Sequence, residues 1–264
     1  MKKDHSQPIG IFDSGIGGTS IWKEIHALLP NENTIYLSDS KNAPYGQKSK
    51  EEIIKLSIKN TEFLINKGCK LIVVACNTAT TNAIEYLRSN YNVPFIGIEP
   101  AIKTASIQTK TGVIGILATK GTLNSRLFEQ TSASINHNIT IVEQIGTGLV
   151  ELIENGKMYS LEMTNLLKKH LKPMLFSKCD CIVLGCTHYP YLIPQIQKIT
   201  GNCIRIIDSG EAVARQTRNI LTKENLMSNA NINLNTTFYI NKDKTVLKLI
   251  LQDYEKAIVS YLDF

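Results

Sequence analysis

The chain has 264 residues, of which 43% are hydrophobic and 20% charged, a balance typical of globular proteins with a substantial core. The net charge of +6 comes from scattered lysines, so nucleic-acid binding is not indicated. The polar N-terminus lacks the apolar segment of a signal peptide, and no apolar run is long enough to span a membrane. We therefore expect a soluble cytoplasmic protein without membrane partners.

Short apolar runs alternate with longer polar or amphipathic segments in the first hundred residues. Strands are predicted at Ile9–Phe12, Thr34–Leu37, Leu71–Cys76 and Pro94–Ile98, and helices at Thr19–Leu29, Ser49–Lys67 and Thr81–Ser89. Such alternation of strands and helices is typical of a parallel sheet.

The pattern restarts after Glu99-Pro100, which indicates a second half of similar design. Strands are predicted at Thr111–Leu117, Ile139–Gln144, Cys181–Leu184 and Ile204–Ile207, and helices from Leu123, at Leu149–Ile153, at Leu161–Leu171 and at Glu211–Leu221. A polar loop at Asn225–Asn235, a strand at Thr237–Ile240 and a terminal helix at Lys244–Leu262 follow. We expect this tail to return to the first half and complete its sheet.

Two cysteines end apolar strands in matching positions of the two halves. Cys76 is followed by Asn77 and Thr78, and Cys186 is followed by Thr187 and His188. Ligands of open α/β sheets bind at the carboxyl ends of the strands, and the amide groups of a helix N-terminus stabilise a thiolate. The matched pair therefore indicates reactive thiols, although single cysteines in apolar strands are more often structural.

The six cysteines do not suggest a disulfide framework, because several lie in or beside apolar strands of a chain that is not small. A zinc site made of Cys179, Cys181, Cys186 and His188 is an alternative, but this spacing matches no common zinc module. A continuous strand would also point successive side chains to opposite faces. His188 by itself is more typical of a capping or loop histidine than of a proton relay or substrate contact.

The glycine-rich turn Asp13–Gly18 has the composition of an anion-binding loop, although it is neither GxGxxG nor a P-loop. Asp13 at the end of its strand is either a functional carboxylate or a turn-forming residue. Glu151 and Glu154 lie on one short helix, and by composition alone both are expected to be solvated surface residues.

Four segments resemble the signatures of the glutamate racemase family and occur in the family's order. They are FDSGIGG at 12–18, APYG at 43–46, ACNTA at 75–79 and GCTHYP at 185–190. The resemblance implies an α/β fold with two pseudo-symmetric domains, mainly parallel sheets flanked by helices and an active-site cleft between them. The domains would be residues 1–99 with 208–264, and residues 100–207.

The resemblance also implies a function and a set of site residues. The enzyme would interconvert L- and D-glutamate without a cofactor or metal and supply D-glutamate for peptidoglycan, and a homodimer is compatible with the resemblance. Cys76 and Cys186 would be its acid/base residues for the D- and L-isomers, with Asp13 assisting Cys76, and His188 and Glu154 assisting Cys186. The implied substrate contacts are Asp13, Ser14, Tyr45, Gly46, Asn77, Thr78, Thr187 and His188.

Three alternatives stay open at this point. A racemase of the same superfamily acting on aspartate would keep both cysteines and change the side-chain pocket. A nucleophilic hydrolase would need only Cys186 and His188 and would form an acyl-enzyme. A non-enzymatic binding protein with two α/β domains would have a similar cleft and would not need paired thiols.

Overall fold

The computed structural model describes residues 5–136, 138–228 and 236–264, which form two fully parallel sheets flanked by helices. The strands are β1 (Ile9–Asp13), β2 (Thr34–Ser38), β3 (Leu71–Val74), β4 (Phe95–Gly97), β5 (Val113–Ala118), β6 (Thr140–Ile145), β7 (Cys181–Gly185), β8 (Arg205–Ile207), β9 (Thr236–Ile240) and β10 (Ala257–Tyr261). The α-helices are α1 (Thr19–Leu28), α2 (Lys50–Asn66), α3 (Asn77–Asn90), α4 (Ile102–Gln108), α5 (Lys120–Leu123), α6 (Arg126–Ala133), α7 (Leu149–Glu154), α8 (Leu161–Phe176), α9 (Ile193–Thr200), α10 (Gly210–Lys223) and α11 (Thr245–Ile250). Single 3₁₀ turns cover Ser40–Asn42, Tyr45–Gln47 and Tyr189–Leu192.

The two sheets repeat one strand order. The first sheet runs β10-β9-β2-β1-β3-β4, and the second runs β6-β5-β7-β8. The segment β2-β1-β3-β4 therefore has the same order as the whole second sheet, so β3 before Cys76 corresponds to β7 before Cys186. The central strands are buried on both faces, which explains why they appear in the sequence as continuous apolar runs. The predicted α/β fold with two related parallel sheets is confirmed.

The C-terminal tail was predicted correctly in its destination and wrongly in its secondary structure. Strand β9 pairs with β2 and adds to the first sheet, as expected. The terminal helix predicted at Lys244–Leu262 is wrong, because the helix ends at Ile250 and a turn leads into β10. The β-branched residues Ile258 and Val259 favour a strand, and parallel pairing with β9 satisfies its backbone. Of the polar loop predicted at Asn225–Asn235, residues 229–235 lie outside the described residues.

Helices α4 and α9 were not predicted, and several predicted helices differ in their boundaries. Helix α3 begins at Asn77 rather than Thr81, because the Cys76 Sγ accepts a hydrogen bond from the Ala79 amide at 3.4 Å and caps the helix. The helix expected from Leu123 is divided into α5 and α6, since Ser125 caps a new helix through the Phe128 amide.

Helix α10 joins the two sheets, because it follows β8 of the second sheet and packs against α1 beside the first sheet. Val213 and Ala214 on α10 belong to the same buried cluster as Ile21 and Trp22 on α1. In the described parts of the chain, none of the helices is both long and apolar enough to cross a membrane.

Candidate active site

The two strand-end cysteines line one cavity between the sheets. All the residues predicted for the site line this cavity except Asp13 and Glu154, which lie directly behind it. The cavity is also lined by Pro44, Thr119, Val150 and Gly185. The cavity has about 10 Å³ of free space, which is close to the minimum for one water molecule. The described conformation is therefore closed around the two thiols.

Cys76 is held in a form that favours the protonated thiol. Its side chain is buried, and its Sγ lies 3.6 Å from the Ser14 hydroxyl and accepts the Ala79 amide hydrogen bond. Burial and the nearby charge of Asp13 raise the pKa of Cys76 well above its ordinary value, and these two hydrogen bonds only partly oppose the rise.

Cys186 has a different neighbourhood, because a histidine faces its sulfur. The Cys186 Sγ lies 3.8 Å from Nδ1 of His188, whose Nε2 donates to Oε1 of Glu154 at 2.6 Å. Burial alone would lower the pKa of His188, but the hydrogen bonds and charges of Cys186 and Glu154 raise it well above the ordinary value. His188 therefore places a ring nitrogen beside the Cys186 sulfur, where the two groups can exchange a proton.

Glu154 is buried and fully engaged, so its expected position on the solvated surface is wrong. One carboxylate oxygen accepts from the Ile16 amide at 2.7 Å and from His188, and the other accepts from the Ser40 hydroxyl at 2.7 Å. Burial raises the pKa of Glu154, but these donors and the positive charge of His188 outweigh it, so the pKa is lowered overall. Glu151, one turn earlier, is only partly buried.

The glycine-rich turn cradles a carboxylate, and this carboxylate is the protein's own Glu154. A Cβ atom at Gly15 would lie 2.0 Å from Glu154 Oε1, and one at Gly17 would lie 2.2 Å from His188 Nδ1. Because real Cβ atoms are not found at such distances, only glycine allows the turn to approach the His188–Glu154 pair so closely.

Asp13 is buried behind the turn. Its Oδ2 accepts from the Gly18 amide at 2.9 Å, and its Oδ1 accepts from the Thr187 hydroxyl at 3.3 Å. Burial raises the pKa of Asp13, while the charge of His188 and the turn amides oppose the rise. Asp13 therefore links the first turn to the segment that carries the second cysteine.

Tyr45 and Asn77 differ in whether their polar groups have protein partners. The Tyr45 hydroxyl donates to Asp39 at 2.5 Å and accepts from Asn60, so its ring lines the cavity while its hydroxyl is already engaged. Both side-chain polar atoms of Asn77 are buried and lack a hydrogen-bond partner among the described residues. The Asn77 amide is therefore available to a ligand in the cavity.

The sequence analysis did not assign three residues to the site. One is the cavity-wall residue Thr119, and the other two, Ser40 and Asp39, form hydrogen bonds with Glu154 and Tyr45. Thr119 lines the cavity and shares a hydrogen bond with Thr78 at 2.8 Å. The repeat held a usable signal for it, because Thr119 follows β5 as Ser14 follows β1. Ser40 and Asp39 follow strand β2, and nothing in the local sequence indicates their partners Glu154 and Tyr45.

The four residues of the alternative zinc site are not arranged around a common point. Cys179 packs in the same buried cluster as Cys186, whereas Cys181 packs in another cluster of the second sheet. Within residues 5–136, 138–228 and 236–264, no group of three His, Cys, Asp or Glu side chains is placed to hold a metal ion.

Comparison with known proteins places this site in a family. The family described as Asp/Glu/Hydantoin racemase matches residues 9–217, which is most of the chain. The chain belongs to this family. It is therefore a racemase, an isomerase, and the resemblance of its four sequence segments is confirmed.

Individual relatives cover nearly the whole racemase. The glutamate racemase of Herpetosiphon aurantiacus is 46% identical over 222 residues, which is 84% of this chain and 87% of the relative. The crystal structure of a glutamate racemase isoform from Bacillus anthracis has a TM-score of 0.88 at 30% identity and covers 99% of both chains. Escherichia coli glutamate racemase, crystallised with L-glutamate and the activator UDP-MurNAc-Ala, has a TM-score of 0.86 at 32% identity and covers 97% of this chain and 98% of its own.

Proposed function

We propose that this racemase interconverts L- and D-glutamate without a cofactor, with Cys186 and Cys76 as its two acid/base groups. The observation that carries the proposal is the pair of thiols at equivalent strand ends of two matching sheets, which line a single cavity. Inversion at one carbon requires a proton to leave from one face and another to arrive at the opposite face. Two groups on opposite walls of a cavity are suited to this task.

In the direction from L to D, the Cys186 thiolate takes the α-proton of L-glutamate and becomes a thiol. The electron pair left on the α-carbon then takes the proton of the Cys76 thiol, which becomes a thiolate. Transfer of protons through solvent resets the pair, and the reverse reaction exchanges the two roles. The raised pKa of Cys76 supports its starting role as the thiol, and the His188 ring nitrogen lies 3.8 Å from the Cys186 sulfur, within reach of proton exchange.

The α-proton of an amino acid is weakly acidic, so the cavity must stabilise the developing negative charge. Preorganised donors in a water-excluded site are effective for this purpose. The Asn77 amide, which has no partner among the described residues, and the hydroxyls of Ser14 and Thr119 are suitable donors for the substrate carboxylates. Asp13 assists Cys76 through its charge, and His188 with Glu154 assists Cys186.

Glutamate is favoured as the substrate by the relatives, which bear the name glutamate racemase at up to 46% identity over most of the chain. The Escherichia coli structure contains L-glutamate. The physiological role we propose is a cytoplasmic supply of D-glutamate for peptidoglycan. The domain boundaries we propose are residues 1–99 with 208–264, and residues 100–207.

Substrate access requires the cavity to open, because its free space is smaller than any amino acid. Hydrogen bonds between the halves lie beside it, among them one shared by the hydroxyls of Thr78 and Thr119 at 2.8 Å and one from Gln47 to Glu151 at 2.6 Å.

The test is incubation of the purified protein with L-glutamate in D₂O without added cofactor, followed by optical rotation and α-proton NMR. Loss of rotation together with deuterium at the α-carbon is expected. Reaction with aspartate but not glutamate would overturn the substrate and keep the mechanism. No reaction with either amino acid would overturn the proposal and favour the hydrolase or binding-protein alternative.

A further inference from the structure

A second, larger cavity adjoins the active site. It has about 290 Å³ of free space, and it shares the wall residues Pro44, Gly46, Thr119 and Val150 with the cavity that holds the thiols. These four residues are therefore the partition between the two spaces. We call the second cavity the vestibule.

The vestibule has one positive and one negative side chain, and the positive one has no ion-pair partner among the described residues. Of the described residues that line it, Lys120 alone is basic and Glu151 alone is acidic. The Glu151 carboxylate accepts a hydrogen bond from the Gln47 amide across the rim. The Lys120 side chain is exposed and forms no ion pair within the described part of the chain.

We propose that the vestibule is a capture site for the anionic substrate, and that Lys120 attracts a substrate carboxylate there before the partition opens. This inference rests on the proposed function in one respect, namely that the substrate carries two carboxylates. Lys120 directly follows the partition residue Thr119, so a carboxylate held by its ammonium group is already beside the wall that must move.

The expected size of the effect follows from the exposure of Lys120. Charges that line a cleft raise association rates by roughly 10- to 1,000-fold when they act together, and less when a single exposed charge acts alone. We expect about a two- to tenfold contribution from Lys120, which salt will screen because the Debye length falls to about 3 Å at 1 M. Chemistry inside the closed cavity is not expected to depend on it.

The first experiment compares Lys120→Gln with the wild type and with Lys110→Gln, which makes the same charge change at a cavity beside the starts of β7 and β8. At low salt, Lys120→Gln is expected to raise KM for glutamate about two- to tenfold, with kcat unchanged and the difference lost at high salt. Lys110→Gln should match the wild type. An unchanged KM for Lys120→Gln, or an equal loss in Lys110→Gln, would overturn the proposal.

The second experiment does not depend on the substrate. The alkylation rate of Cys186 by anionic iodoacetate is divided by its rate with neutral iodoacetamide, so that cavity opening and thiol reactivity cancel. Lys120→Gln is expected to lower this ratio about two- to tenfold at low salt and leave the iodoacetamide rate unchanged. An unaltered ratio would refute the role of Lys120 even if glutamate is racemised, and a lowered ratio would uphold anion capture even if glutamate is not the substrate.

Discussion

His188 and Glu154 form a buried pair in which Nε2 of the histidine lies 2.6 Å from Oε1 of the glutamate. The pair lies behind Cys186, and Glu154 also accepts hydrogen bonds from Ile16 and Ser40, which belong to the first half of the chain. One carboxylate therefore sets the charge of the histidine beside the thiol and also ties the two sheets together.

Replacement of Glu154 by glutamine should separate these roles. Glu154→Gln removes the negative charge that favours imidazolium, so the pKa of His188 should fall and the activity should drop roughly 100-fold. The pH–rate profile and the NMR titration of the His188 ring report the change. Glu162→Gln, at an exposed site on α8, is the matched control and should behave as the wild type. A large loss of activity with an unchanged His188 titration would contradict this role.

The same pair predicts a pH window for stability. The pKa of His188 is raised above its ordinary value of 6.5, so its contribution is complete below about pH 6.5 and is lost as the pH rises through the raised value. The pKa of Glu154 is lowered from 4.5, so its contribution is present above about pH 4.5 and is lost as the pH falls through the lowered value.

The wild type should therefore exceed Glu154→Gln in unfolding free energy most between about pH 4.5 and pH 6.5, where both contributions are complete. The difference should be about 3 kcal/mol there, because one partner of a buried ion pair has been removed. Urea unfolding at a series of pH values measures it. A difference that stays constant across the series would show that the pair is not ionised in the folded protein.

The two thiols should differ in reactivity before substrate is added. The thiolate is the reacting form, and the raised pKa of Cys76 disfavours it there, whereas Cys186 has a histidine ring nitrogen 3.8 Å from its sulfur that can accept its proton. Iodoacetamide should therefore modify Cys186 first, and glutamate should protect both thiols. Peptide mass spectrometry gives the rates, with the exposed Cys203 as the accessibility reference. Faster modification of Cys76 would reverse the proposed starting state.

The turn glycines should be irreplaceable because of their neighbours. Gly17→Ala places a methyl group where His188 Nδ1 lies 2.2 Å away, so the ring must move and activity should fall about 100-fold or more. Gly201→Ala is a useful control, because it strains a positive-φ backbone (φ 75°, ψ −179°) by about 1–3 kcal/mol but has no atom within 4 Å of the new methyl group. Gly201→Ala should lose stability and keep kcat. Equal kcat values for both variants would contradict the contact.

The sequence predicted the features that have short-range signals. Buried parallel strands appear as apolar runs, and the strand-end positions of Cys76 and Cys186 follow from those runs. Glu154 could be assigned only by resemblance, because its partners Ile16, Ser40 and His188 are brought to it by the tertiary fold. Strand β10 was missed for a related reason, since pairing with β9 overrides the helical appearance of the tail.

Asn77 should show a conflict between stability and function. Its buried amide has no partner among the described residues, and such a group costs about 1–3 kcal/mol when it is unsatisfied. Asn77→Ala should therefore leave the free energy of unfolding unchanged or raise it by about 1 kcal/mol, while kcat/KM for glutamate falls about 100-fold because a donor to the substrate is lost. Urea unfolding and racemisation kinetics measure both quantities. Thr81→Ala, on the same helix outside the cavity wall, is the control and should keep its activity. If Asn77→Ala is destabilised by more than about 1 kcal/mol and remains active, the amide supports the fold rather than the substrate.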